Sequence, residues 1–106
     1  MPEDDLDDNM SEEDVDKEFW TRADKFIDIA NKLCVETAVG RVSSSLLYAA
    51  ARFNAFMVYA NAENIEEMKQ EKKVALDYFA GQYKKMLEEN LDDHIENFEK
   101  YSQSSS

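Results

Sequence analysis

Glycine and proline are nearly missing from this sequence: two glycines and one proline stand in 106 residues. A sheet of short strands needs frequent turns, which those residues supply, and it favours β-branched side chains. Val, Ile and Thr are sparse here, whereas Ala, Leu, Met, Glu and Lys abound, so an all-α fold is predicted. The size allows one domain and no more.

Cysteine and histidine occur once each. A lone Cys34 has no internal disulfide partner, and its place on the apolar side of the first helix suits a small buried hydrophobe in a reducing compartment. A cytoplasmic location is the simplest expectation. His94 lies in Leu91-Asp92-Asp93-His94-Ile95-Glu96, near enough carboxylate to suggest a metal site. Ferritin-like di-iron chemistry needs two Glu-x-x-His pairs, yet the position three before His94 is Leu91 and no second histidine exists. The plainer reading is a boundary histidine whose proton affinity its acidic neighbours raise. With no Gly-x-Ser-x-Gly, no Cys-His pair and no glycine-rich phosphate loop, no enzymatic activity, metal or cofactor is predicted.

Long apolar runs are also lacking. None approaches the ~20 residues needed to cross a bilayer, and the N-terminus is acidic, which predicts a soluble, untargeted protein away from membranes. Bases are short by half: 12 Lys and Arg face 24 Asp and Glu, a net charge of −12. Nine of those acids lie within residues 1–16, which hold no base. The remainder, fifteen acids against twelve bases, is nearly balanced at −3. An acidic arm over residues 1–13, disordered in isolation, is therefore predicted ahead of one helical domain over 14–101 and a frayed tail over 102–106. Direct nucleic-acid binding is not expected, since no basic patch exists.

What is present is helical periodicity. The first helix opens near Ser11 and carries Phe19, Ala23, Phe26, Ile27, Ala30, Leu33 and Cys34 at spacings of three and four, with Trp20 at their edge. Asp28 and Lys32 on the opposite face have the favourable acid-first order. The helix is expected to stop between Thr37 and Gly40, with Gly40 left-handed and Ser43 or Ser44 capping the next helix. Val42 then lies just outside that cap, placed to staple against Leu47. Helix two, to about Ala60, has an apolar arc through Phe56, Phe53, Leu46, Met57, Leu47 and Val58 that covers more than half its circumference. Such a helix should be wrapped on more than one side. Asn64 is the expected cap of a third helix with apolar spacing from Ile65 to Tyr101. As one helix of 37 residues it would reach ~55 Å, longer than its partners; it either bends at Gly81 or buries its overhang against a second chain. The predicted architecture is a three-helix bundle with a long, bent or overhanging third helix.

Four residues of helix two are candidates for a binding surface. Tyr48 and Arg52 at i,i+4 set a guanidinium beside an aromatic face, and Tyr59 continues the stripe, a platform for a peptide or small anion. The plainer reading is an ion pair from Arg52 to Asp24, Asp28 or Asp77. Asn54 falls within the apolar arc, where a buried amide needs a partner such as Asn31 and would set helix register.

The segments FWTRADKFIDIANK, GRVSSSLLYAAARFNAF and LDYFAGQYKKMLEENLDDHIENF, in this order and spacing, resemble a family of small acidic bacterial helical proteins classed as a domain of unknown function. The resemblance covers about residues 18–101 and implies an intracellular, all-helical protein with no activity, cofactor or catalytic residue to carry over. The function expected is a small cytoplasmic protein-interaction module that self-associates through helix three and binds an unknown protein partner. The alternative is an acidic inhibitor that imitates nucleic acid to occupy a basic groove. Lys69, Lys72 and Lys73 at one end of helix three, against Glu88, Glu89, Asp92, Asp93 and Glu96 at the other, suit an antiparallel second chain.

Overall fold

A computed structural model describes residues 12–103, which form four α-helices: α1 (Glu12–Leu33), α2 (Val39–Asn61), α3 (Ile65–Glu96) and α4 (Phe98–Gln103). No strand occurs among the described residues, and the protein is all-α, as its poverty in turn and β-branched residues predicts. The expected cap at Ser11 and most of the acidic arm lie outside the described residues. Glu12 and Glu13, assigned to the arm, are helical, as are Ser102 and Gln103 of the tail. The chain divides into two units, Met1–Tyr59 and Ala60–Ser106.

In the first unit, α1 ends earlier than the sequence suggests. Its last turn tightens into three-residue hydrogen bonds, Glu36 N–H to Leu33 O at 2.9 Å and Val35 N–H to Lys32 O at 3.2 Å, and Thr37 N–H still reaches Leu33 O at 3.2 Å. This satisfies terminal carbonyls without any left-handed residue. No glycine among the described residues has a positive φ, and Gly40 lies inside the first turn of α2. The left-handed stop expected there is corrected. Ser44 likewise is not a cap: its hydroxyl donates back to Gly40 O at 3.2 Å, the bond a mid-helix serine makes. Val42 sits within α2, its N–H bonded to Ala38 O at 3.2 Å, and is the one buried apolar residue among those described, 6% exposed.

Among the described residues α1 makes no close contact along α2. The arc of α2 predicted to be wrapped is open: Phe53 is 60% exposed, Phe56 57% and Leu47 53%. On α1, Phe26 and Trp20 are exposed to a similar degree. Cys34, expected on the buried face of α1, is half-buried in the turn that follows it.

The second unit opens on the cap that the sequence predicts. Asn64 is extended (φ −157°, ψ 172°) and its side chain accepts from Glu67 N–H at 2.9 Å. The Glu67 carboxylate accepts from Glu63 N–H at 2.6 Å, one residue ahead of the cap, so Asn64 satisfies one of the helix's orphan donors while Glu67 ties down the turn that leads into it. From there α3 runs unbroken through Gly81 to Glu96. The interruption falls at Asn97, not at Gly81: Asn97 leaves the helical region (φ −113°, ψ 29°), and its side-chain N–H donates to Asp93 O at 3.0 Å. The single helix predicted to Tyr101 is thus two, with α4 turned against the end of α3.

A methyl group added at Gly81 meets nothing within 4 Å. Gly81→Ala is expected to stabilise the helix by about 1 kcal/mol, read as a higher thermal midpoint by circular dichroism. Asn64→Ala should lower stability by about the same amount through loss of the cap. A lower midpoint for Gly81→Ala would mean that position carries a bend.

Candidate functional site

Helical geometry decides which of the candidate residues share a surface. Tyr48, Arg52 and Tyr59 stand four and seven positions apart, so they fall on one face of α2. Asn54, two positions beyond Arg52, lies about 200° around the helix and does not join them. Tyr48 and Tyr59 are 67% and 63% exposed, and Arg52 is exposed. Within its own unit Arg52 makes no ion pair with Asp24 or Asp28 among the described residues. Asp28 pairs with Lys32 at 3.3 Å, the acid-first pair the sequence predicts, and Asp77 with Lys73 at 2.8 Å. Arg52 is exposed on the face of α2 that also carries the two phenols.

Aromatic contacts continue along the helix. Phe56 lies 6.3 Å from Tyr59 and 6.1 Å from Phe53, ring centre to ring centre, both tilted. The polar stripe thus merges into the apolar arc with no charged residue between. Asn54 is half-buried, and among the described residues its amide makes no side-chain hydrogen bond. The expected bond to Asn31 is therefore corrected. With the arc open, water can serve the amide, and no partner is required.

A second cluster, which the apolar spacing of helix three does not reveal, is built by the α3–α4 junction. The Tyr101 hydroxyl donates to Asp93 Oδ2 at 2.5 Å, and the Asn97 side chain donates to Asp93 Oδ1 at 3.0 Å. The Tyr101 ring stacks on His94, centres 4.2 Å apart and planes 15° from parallel, and His94 Nδ1 lies 2.9 Å from Asn90 O. His94 is thereby occupied by structure: one face covered by a phenol, one nitrogen against its own helix. The signal was Asn97 itself, a helix-stopping amide four residues after an acid, which folds Tyr101 back. Among the described residues no group of three or more His, Cys, Asp or Glu is placed to hold a metal ion, and no helix is long and apolar enough to cross a membrane.

Asp93 holds the Tyr101 phenol above its ordinary pKa, chiefly through their hydrogen bond and then through slight desolvation and the carboxylate's charge. A raised value means that the junction favours the protonated phenol. Its contribution is complete below the ordinary phenol range and is lost as pH rises through the raised value. An ultraviolet titration should therefore contain a phenol component above the ordinary value that disappears in Tyr101→Phe and moves down in Asp93→Asn. Arg52→Ala, which removes no internal partner, should shift stability by no more than about 0.5 kcal/mol in thermal melts.

Comparison with known proteins agrees with the helical reading. Residues 19–95 match the family described as protein of unknown function (DUF3144). The chain is also similar to NB7890A, a protein from Shewanella sp solved by NMR, at 37% identity over 83% of this chain and 94% of that one, with a TM-score of 0.68. No curated protein matches. The three segments that carry the resemblance run from the first helix through the end of the third, within and around the matched span, and the chain belongs to the DUF3144 family of proteins of unknown function.

Proposed function

We propose that this protein is a small protein-interaction module that works as a self-associated particle, with helices of two copies contributing to the bundle that the sequence predicts. The observation that carries this reading is the open apolar arc of α2. Leu46, Leu47, Tyr48, Phe53, Phe56 and Tyr59 are each between 37% and 67% exposed. At roughly 100 Å² apiece, given the 150–250 Å² that a large aromatic can bury, they offer roughly 600 Å² per chain. A standard interface takes about 800 Å² from each partner, so this arc, with the exposed aromatics of α1, is of the size that a second copy covers. That is at the upper end of the largest apolar patch on a typical monomer, and patches of that size are often functional. Tyr48, Arg52 and Tyr59 at its border form the part of the surface suited to a further partner, since an exposed guanidinium on one face with two phenols takes a carboxylate of an acidic peptide. The acidic run at the start of the chain belongs to the same proposal as a charged segment that a basic partner would contact, and the compartment proposed is the cytoplasm.

The test is the mass of the purified particle by light scattering across a concentration series. The expected result is a particle heavier than the 12.3 kDa chain, shifted toward the single chain by Phe53→Asp or Phe56→Asp. A wild-type protein that stays at the mass of one chain up to the highest soluble concentration overturns the reading.

A further inference from the structure

Resting on the self-association just proposed, a closer reading of α3 assigns its pairing. From Lys69 to Asp93 the helix carries a seven-residue repeat. Leu76 and Tyr83 recur at one core position, and Phe79 and Met86 at the other, with steps of three and four residues between them. This is the spacing of a two-stranded seam. Leu76, Tyr83 and Met86 are exposed and Phe79 is half-buried. The same positions continue outward as polar residues whose sign differs between the ends: Lys69 and Lys72 towards the N-terminus, Asn90 and Asp93 towards the C-terminus.

We propose that α3 pairs with α3 of a second copy, antiparallel, in the register that sets Lys69 against Asp93 of the second copy. That register follows from charge and from layer chemistry together. A parallel pair would place each Lys69 and Lys72 against its own copy, and each Asp93 against Asp93, which is repulsive at both ends. The antiparallel pair instead makes layers of Phe79 with Tyr83 and of Leu76 with Met86, closed at either end by Lys72 with Asn90 and Lys69 with Asp93. Sliding the antiparallel pair to the neighbouring layer sets Leu76 against Asp93 and buries a carboxylate on an aliphatic side chain. The two-fold axis passes at the level of Gly81. The Asp93 carboxylate that each end needs is already oriented by Tyr101 and Asn97, which ties the α3–α4 junction to the same interface. Lys69 leans on Glu66 of its own helix at 3.8 Å, both side chains solvent-exposed, so its transfer to Asp93 forfeits little.

Single cysteines in the full chain, in a Cys34→Ser background, test the register. Gln82 lies beside the axis, about 3 Å along it from its own copy, whereas the two Asn90 positions are about 27 Å apart. Under mild oxidation Gln82→Cys should cross-link the dimer and Asn90→Cys should not. Charge exchange tests the ends: Lys69→Glu should weaken dimerisation roughly tenfold, Asp93→Lys at least as much because it also releases Tyr101 and Asn97, and the double variant should restore about tenfold relative to Asp93→Lys alone. A dimer that cross-links at Asn90, or at neither position, or that the double variant does not restore, overturns this pairing while leaving self-association through α2 standing. A particle of one chain at every concentration overturns both.

Discussion

The constraint on which everything else depends is apolar surface that one chain leaves in water. Helices of this length are marginal alone, because propagation yields little beyond the cost of nucleation, and in proteins they are held by the face they bury. Here α2 presents phenyl, phenol and leucyl groups along most of its circumference, and Val42 is the one apolar residue among those described that is closed off. At ~25 cal/mol per Å², roughly 600 Å² of such surface corresponds to ~15 kcal/mol. That is the upper end of the net stability of an ordinary domain. No arrangement of surface ion pairs offsets a term of that size, since Asp28–Lys32 and Lys73–Asp77 are exposed and contribute a few tenths of a kcal/mol each.

Polar interactions have a different task in this molecule, which is to decide where helices begin and end. Asn64 starts α3 by accepting from Glu67 N–H, the Glu67 carboxylate holds the turn ahead of it, and Asn97 ends the helix by donating to Asp93 O. The acidic end of α3 opposes the helix dipole, which favours cations there. The carboxylate of Asp93 is nonetheless held, because Tyr101 and Asn97 donate to it and the fold-back of α4 brings them within reach. A local electrostatic disadvantage is thereby converted into a fixed charge at a defined height on the helix. That fixed charge, with Lys69 and Lys72 about six turns toward the other end, gives α3 a polarity along its length.

Family membership narrows the chemistry without naming it. The matched span runs from Phe19 to Ile95, and so it takes in the whole apolar arc of α2, the Tyr48–Arg52–Tyr59 face and the repeat of α3. These are surfaces rather than clefts. Their residues are suited to contact over an area, aromatic and aliphatic groups edged by single charges, which is the composition of interface centres.

Much of the fold was legible from residue order alone, because its causes are local. Scarce glycine, proline and β-branched residues determined an all-helical chain, the spacing of apolar residues determined three long helices, and Asn64 with Glu67 three residues later determined where α3 starts. The i,i+4 pair of Asp28 and Lys32 was readable for the same reason. What was not local was not readable. Whether Gly40 turned left-handed depended on how the carbonyls of α1 were satisfied, and three-residue hydrogen bonds did that without it. Whether α3 broke at Gly81 or at Asn97 depended on Tyr101 finding Asp93 across the junction. Most of all, the pattern of α2 states that its arc must leave water but says nothing of what covers it. Only the tertiary structure decided that Asn54 stands apart from Arg52 with no amide partner and that the arc remains open, because burial is a property of where other atoms lie, and periodicity encodes only the face that seeks it.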